Sequence, residues 1–135
     1  MRPAMNQAQL DAFGTRYAAA WSSQNADRLA AFYSEDGSLK VNDAAPAAGR
    51  SAIRAMAQEY MTAFPDMVVR MDSMVRVGPR IQFHWTWTGT NNGPGGTGKA
   101  VNLRGYEEWT FGPDGLIDEC FGHFDEAEYQ RQLLT

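Results

Sequence analysis

Hydrophobic residues recur every three or four positions through much of the first half of the chain, which is the spacing of an amphipathic helix. One face of the first predicted helix carries Leu10, Phe13, Tyr17 and Trp21. A second, short helix is expected to begin at the N-cap Asn25, to include Tyr33, and to end in the segment 34–37. A third apolar stripe consists of Ile53, Met56, Tyr60 and Phe64, and Pro65 is expected to end that helix. The pattern therefore predicts three helices before any strand.

The second half of the chain changes to a period of two, which is typical of strands with one buried face. The first predicted strand alternates through Met67, Val69, Met71, Val75 and Val77. In the next strand, Phe83, Trp85 and Trp87 alternate with polar residues, and further strands are expected at 100–111 and 116–124. Asp125, with Glu128 three residues later, resembles a capping box for a short C-terminal helix. This order indicates an α+β fold in which helices cover one face of an antiparallel sheet.

Composition narrows the classes of function. The 135 residues suit a single domain over 1–135, of which 1–6 are expected to be poorly ordered. A formal net charge of -4 disfavours a nucleic-acid-binding protein. Cys120 is the single cysteine, and no Cys/His cluster suits a metal ion, so we expect no metal and no cofactor. With no leader and no apolar run long enough to span a bilayer, the sequence predicts a cytoplasmic protein without a membrane partner.

Several short motifs, in this order along the chain, resemble the SnoaL-like polyketide cyclase family of the NTF2-like superfamily. They are Gly49-Arg50-Ser51-Ala52-Ile53-Arg54, Phe64-Pro65-Asp66, Trp85-Thr86-Trp87-Thr88-Gly89-Thr90, Thr97-Gly98-Lys99, Arg104-Gly105 and Asp114-Gly115-Leu116-Ile117-Asp118-Glu119. The resemblance implies a cone-shaped barrel, in which helices close a strongly curved sheet around an apolar pocket, usually in a homodimer. Relatives include polyketide cyclases, cofactor-free hydroxylases and an epoxide hydrolase, so the fold alone does not select a reaction.

The resemblance also implies a pocket lined from two sides. Phe83, Trp85 and Trp87 share a strand face that points into the pocket of similar proteins, and Leu103 and Cys120 are expected beside them on later strands. The helical roof is expected to consist of Tyr17, Trp21, Tyr33 and Tyr60, whose hydroxyls would orient a polar ligand group. Core packing explains each of these residues equally well when it is taken singly. Epoxide hydrolysis is disfavoured, because Trp85 and Trp87 stand where those relatives carry an arginine and an aspartate.

Catalytic relatives carry an acid in the last strand. The position that resembles it in this chain is occupied by Gly122, so that acid is missing here. Glu107 is the first candidate to replace it, since its parity along the strand places it on the pocket face, where burial would raise its pKa. A bulge near Gly105 would instead turn Glu107 outward. His123 suits proton transfer near neutral pH but is more often a structural residue in such a position. Asp125 is the nearest remaining acid, although its expected role is the helix N-cap.

Three functions remain open at this stage. The first is a cofactor-free cyclase, isomerase or hydroxylase acting on an aromatic or polyketide-like compound, with proton transfer by Glu107 or His123. The second is a non-catalytic domain that binds such a small molecule, which the missing acid favours. The third is a dimeric protein-interaction module that uses the outer sheet face around Val68, Met74 and His84.

Overall fold

The computed structural model of the chain describes residues 4–135. Within this range the helices are α1 (Gln7–Trp21), α2 (Ala26–Ala30), α3 (Arg50–Ala63) and α4 (Glu126–Leu134). The strands are β1 (Tyr33–Val41), β2 (Ala47–Ala48), β3 (Val68–Val77), β4 (Arg80–Thr90), β5 (Ala100–Phe111) and β6 (Ile117–His123). They form one curved sheet of order β2-β1-β6-β5-β4-β3, in which β1 and β6 pair in parallel and the other neighbours are antiparallel. The predicted α+β fold is confirmed, and the sheet is open at its edges rather than closed into a barrel.

Strand β1 lies where the sequence predicted the end of the second helix. Asn25 caps α2 as expected, accepting a hydrogen bond of 3.2 Å from the backbone N–H of Arg28. The helix stops at Ala30, however, and Tyr33 already begins β1. The prediction of a helix through Tyr33 is wrong because pairing with the distant strand β6 overrides the local pattern.

Helix α1 packs against β3 with the apolar face that the sequence predicts. The residues of that face, Leu10, Phe13, Tyr17 and Trp21, are all buried. Gly14 lies at the point of closest approach, where an added Cβ would stand 2.6 Å from the sulfur of Met74. A residue without a side chain therefore lets the helix approach the sheet closely enough to bury Tyr17 and Trp21 over its inner face.

A β-bulge between Met71 and Ser73 changes which side chains of β3 face inward. After the bulge, Met74 is buried in the core, whereas Val75 and Val77 are 41% and 48% exposed. The predicted alternation is therefore wrong beyond Met71, because the extra residue of a bulge reverses the parity of the strand. The same reversal places Met74 under α1 and not on the outer face, where the sequence analysis had expected it.

The predicted stripe of α3 does face the core. Ile53 and Phe64 are fully buried, and Met56 and Tyr60 are partly buried against the same cluster. The helix ends at Ala63, and Phe64 serves as its C-cap directly before the proline.

The first described residues are attached to the fold. Asn6 caps α1 in a reciprocal capping box with Gln9. The backbone oxygen of Met5 accepts a hydrogen bond of 2.6 Å from Arg76 of β3. Residues 4–6, expected to be poorly ordered, thus precede a capped helix, and residues 1–3 lie outside the described part of the chain.

Helix α4 is short and polar and lies beside β5. The Gln132 side chain bonds both the backbone N–H and the backbone oxygen of Asn102, at 2.7 and 3.0 Å. Asp125 caps the helix as expected, accepting a bond of 3.0 Å from the N–H of Glu128. None of the helices within residues 4–135 combines the length and the apolar character needed to cross a bilayer.

Candidate functional site

A cavity lies between the helices and the inner face of the sheet. Six of the residues predicted for the site line it: Trp21, Tyr60, Phe83, Trp85, Trp87 and Glu107. The cavity is small, with a volume of about 70 Å³.

The aromatic walls of the cavity stand nearly perpendicular to one another. The ring of Tyr60 lies 6.0 Å from that of Trp21 at 83°, and 5.8 Å from that of Trp87 at 88°. Trp85 and Phe124 meet at 6.1 Å and 66°. Edge-to-face contacts of this kind fix the rings against each other, so the cavity has preformed walls.

Glu107 lies on the inner face because β4 and β5 pair without interruption. The register places Phe83 opposite Glu107 and Trp85 opposite Gly105, with no bulge between them. The alternative of a shift near Gly105 is therefore absent from the structure. A Cβ at Gly105 would lie 2.5 Å from the indole of Trp85, so this glycine lets the indole lie directly over β5.

One oxygen of the Glu107 carboxylate is held by three donors. The Tyr17 hydroxyl, the Trp109 indole N–H and the Cys120 thiol donate to Oε1 at 2.8, 2.9 and 3.2 Å. The Tyr33 hydroxyl lies 2.7 Å from that of Tyr17. Since the one hydroxyl proton of Tyr17 is directed to Glu107, Tyr33 is the donor to Tyr17. The result is a buried chain of hydrogen bonds that ends on Oε1.

The electrostatics of this network are set mainly by burial. Burial raises the pKa of Glu107 above its ordinary value, and the bonds from Trp109, Tyr17 and Cys120 oppose that rise. Burial also raises the pKa of Tyr17 and of Cys120 well above their usual values, so both remain protonated donors. Within residues 4–135, every hydrogen bond to the Glu107 side chain ends on Oε1, and no ion pair includes it. Oε2 is consequently the oxygen available to a ligand.

His123 and Asp125 do not join Glu107. Register places His123 opposite Tyr106, one residue out of phase with Glu107, and its Nε2 lies 2.9 Å from Glu108 on the outer face. The ring of His123 also packs on Tyr106 at 4.8 Å. Asp125 is occupied as the N-cap of α4. Of the three candidate catalytic residues, the structure therefore brings only Glu107 to the cavity.

Several other predicted site residues lie behind the cavity rather than in its wall. Tyr17, Tyr33 and Cys120 are fully buried, and the first and third of them bond Glu107. The expectation that the Tyr17 and Tyr33 hydroxyls face a ligand needs correction, because these groups bond each other and the carboxylate. Leu103 is buried opposite Trp87 but does not line the cavity.

Sequence reasoning missed part of the lining. The additional residues are Leu39, Val41, Met67, Val69 and Phe124. Leu39 and Val41 belong to β1, a strand that the sequence pattern does not predict. Gly122 also lines the cavity, opposite Glu107 in the sheet, and an added Cβ would lie at an ordinary 3.8 Å from the Cγ of Glu107. Within residues 4–135, no three His, Cys, Asp or Glu side chains are grouped to hold a metal ion.

Solved structures share this fold at low sequence identity. A proposed SnoaL-like polyketide cyclase from Jannaschia sp. CCS1 has a TM-score of 0.76 and 13% identity, with 96% of this chain and 97% of that chain covered. AclR, a proposed hydroxylase from Streptomyces galilaeus, has a TM-score of 0.77 and 22% identity, covering 95% and 82%. A protein with a ketosteroid isomerase-like fold from Catenulispora acidiphila DSM 44928, in complex with trimethylamine, has a TM-score of 0.77 and 16% identity, covering 90% of this chain and 91% of that chain.

Sequence comparison gives the family directly. No curated protein matches the chain. The model of the SnoaL-like domain, in contrast, matches residues 15–120, which include all of the cavity lining except Gly122 and Phe124. The chain belongs to the SnoaL-like domain family.

Proposed function

We propose that this SnoaL-like domain is a cofactor-independent enzyme in which Glu107 moves a proton on a small aromatic or polyketide-like molecule. The observation that carries the proposal is a buried carboxylate in the wall of an aromatic cavity, with Oε1 fixed by three donors and Oε2 not engaged by them. A general base is most effective when its pKa is near the working pH, and burial shifts the pKa of Glu107 upward in that direction.

The proton transfer would involve a single side chain. Oε2 of the ionised carboxylate takes a proton from an acidic C–H of the bound molecule, and the electron pair of that bond passes into an adjacent carbonyl or ring. The resulting carboxylic acid can return the proton to another atom of the same molecule, which completes an isomerisation or a ring closure. The rings of Tyr60 and Trp87, which stand nearly perpendicular to each other, and the indole of Trp85 would hold the substrate in position.

The position of Glu107 supports this role. Gly122 occupies the position that resembles the acid position of catalytic relatives. It pairs with Glu107 across strands β5 and β6. An acid from β5 would therefore reach the same region of the cavity that an acid from β6 reaches in those relatives. The polyketide cyclase and hydroxylase descriptions of two structural neighbours agree with small-molecule chemistry at such a site.

The test is deprotonation of nitrobenzisoxazole, a flat neutral compound that reports on buried carboxylate bases. Removal of its ring C–H proton breaks the N–O bond and releases a coloured nitrile phenolate, so no cofactor is needed. We expect wild-type protein to accelerate the reaction and Glu107→Gln to lose about 100-fold or more of that acceleration. Glu108→Gln is the matched control, because it makes the same change one residue along the strand, on the outer face.

Two results would contradict the proposal. Equal rates for wild-type protein and Glu107→Gln would show that Glu107 does not transfer the proton. A loss in Glu108→Gln as large as that in Glu107→Gln would show that the effect does not arise in the cavity. Quenching of the cavity tryptophans by the same compound measures binding independently of turnover.

A non-catalytic binding domain is the second candidate. It is favoured because Tyr60 is the other ionisable side chain in the lining, and burial raises its pKa to about 12. Such a phenol is a weak acid, so no strong partner acid assists Glu107. Tight binding of small aromatic compounds by wild-type protein, without acceleration of any proton transfer, would support this function over the first.

The outer face is the proposed site of a homodimer. Val68, Val75 and Val77 of β3 are between 41% and 48% exposed there. His84 and Tyr106 stack at 5.4 Å on the neighbouring strands. Light scattering of wild-type protein and of Val75→Lys tests this assembly. We expect the mass of a dimer for wild-type protein and a smaller mass for Val75→Lys.

A further inference from the structure

The cavity wall contains a carboxyl group, Glu107, that is paired with no positively charged side chain among residues 4–135. Glu107 is 8% exposed, and the cavity lining includes no Lys, Arg or His side chain. Buried charges are strongly unfavourable unless they are paired. The three donors on Oε1 are uncharged groups, so they solvate the carboxylate without neutralising it. Burial favours the neutral acid in the empty cavity, and a cation supplied from outside would stabilise the ionised carboxylate.

The walls select the kind of cation. Faces of Trp, Tyr and Phe rings attract positive charge through their quadrupoles, most strongly where water is excluded. The cavity has six such rings: Trp21, Tyr60, Phe83, Trp85, Trp87 and Phe124. A calcium ion, by contrast, needs six to eight oxygen ligands, and this lining offers few. The site therefore matches a soft organic cation and not a hydrated metal ion.

The surface beside the cavity is also acidic. A wider depression adjoins it, sharing Val41 and Tyr60 with the cavity lining. The acidic side chains of this depression are Asp43, Glu59 and Glu126, and its lining includes no Lys or Arg. A concave surface of one charge raises the local concentration of ions of the opposite charge. The depression and the cavity thus favour the same class of ligand.

We propose that the ligand of this cavity carries a compact alkylammonium group, seated among the aromatic rings with its charge beside Oε2 of Glu107. The inference rests on the proposed use of the cavity as a small-molecule site, and it adds the charge of the molecule. The limited cavity volume suits a group the size of trimethylammonium.

The experiment compares choline with its uncharged isostere, in which a tert-butyl group replaces the trimethylammonium group. Binding is measured by calorimetry and by tryptophan fluorescence. We expect wild-type protein to bind choline at least about 10-fold more tightly than the isostere. Glu107→Gln should lose that preference, whereas Glu108→Gln should keep it. Added salt should weaken choline binding and leave isostere binding unchanged.

A second pair of variants keeps the test valid if Glu107→Gln is unstable. Tyr60→Phe retains a ring in the wall and Tyr60→Leu removes it, at a side chain that is only partly buried. Choline affinity should survive the first change and fall about 3-fold or more after the second. Equal binding of both compounds, or choline affinity unaffected by both Glu107→Gln and Tyr60→Leu, would overturn the cationic ligand while the small-molecule site stands. Absence of binding by both compounds would also overturn it, and the nitrobenzisoxazole assay then decides separately whether the cavity is functional.

Discussion

Replacing Tyr17 by phenylalanine removes a hydroxyl that makes two buried hydrogen bonds. It donates to Glu107 at 2.8 Å and accepts from Tyr33 at 2.7 Å. A bond to a charged group contributes about 1.5–3 kcal/mol and a neutral one about 0.5–1.5 kcal/mol. We therefore expect Tyr17→Phe to lower the free energy of unfolding by about 2–4.5 kcal/mol, a large share of the ~5–15 kcal/mol typical of a domain.

The size of this effect should depend on pH. The bond from Tyr17 lowers the pKa of Glu107, so the Glu107 pKa should be higher in the variant than in wild-type protein. Above the folded pKa of Glu107 the wild-type bond is charge-assisted, and below it the bond is between neutral groups. The loss in Tyr17→Phe should accordingly be larger above that pKa than below it. Urea denaturation at a series of pH values measures it, through the midpoint at unchanged slope.

Tyr33→Phe is the control for this prediction. It removes the bond to Tyr17 but leaves the three donors of Glu107 in place, so it should cost about 0.5–1.5 kcal/mol at every pH. The double variant completes a cycle that gives the coupling between the two hydroxyls. If Tyr17→Phe costs no more than Tyr33→Phe above the Glu107 pKa, the idea that this hydroxyl stabilises the buried carboxylate is refuted.

Three further predictions concern other parts of the fold. Gly105→Ala should cost about 1–3 kcal/mol in urea denaturation and alter the near-ultraviolet dichroism of Trp85, since the new Cβ would lie 2.5 Å from that indole. Asp125→Ala removes the N-cap of α4 and should cost about 1 kcal/mol, with faster hydrogen exchange at the Glu128 amide, whereas Asp125→Asn should be close to neutral. Because burial raises the folded pKa of Glu107 above its unfolded value, wild-type stability should fall as pH rises between the two values. Glu107→Gln should lack that slope, and a matching slope in the variant would exclude Glu107 as its source.

Local patterns predicted the elements whose signal is contained in one segment. The three-to-four spacing from Leu10 to Trp21 and the alternation from Phe83 to Trp87 both describe faces that are buried in the structure. Strand β1 has no such signal, because its polar stretch 34–38 contains a register irregularity and pairs with β6 from the other end of the chain. That pairing is tertiary information, which periodicity does not contain.

Local patterns likewise predicted only part of the candidate site. Parity along β5 was sufficient to place Glu107 inward, because no bulge interrupts its pairing with β4. The predicted helix faces also placed Tyr17 and Tyr33 inward, but they do not indicate that the two hydroxyls bond each other and not a ligand. The contribution of Phe124 depends on how the chain turns after β6 toward α4, which sequence spacing does not determine.

The parallel pairing of β1 with β6 also bears on how the chain acquires its structure during synthesis. Leu39 and Cys120 become neighbours only after the whole sheet between them has been made, so their contact closes a very long loop. Contacts of this separation form slowly and late. Until β6 arrives, the emerging chain leaves β1 and the aromatic faces of the earlier elements exposed to water and to other proteins. The strand that completes the cavity is therefore also the segment whose delay or loss would leave the nascent chain most prone to aggregation.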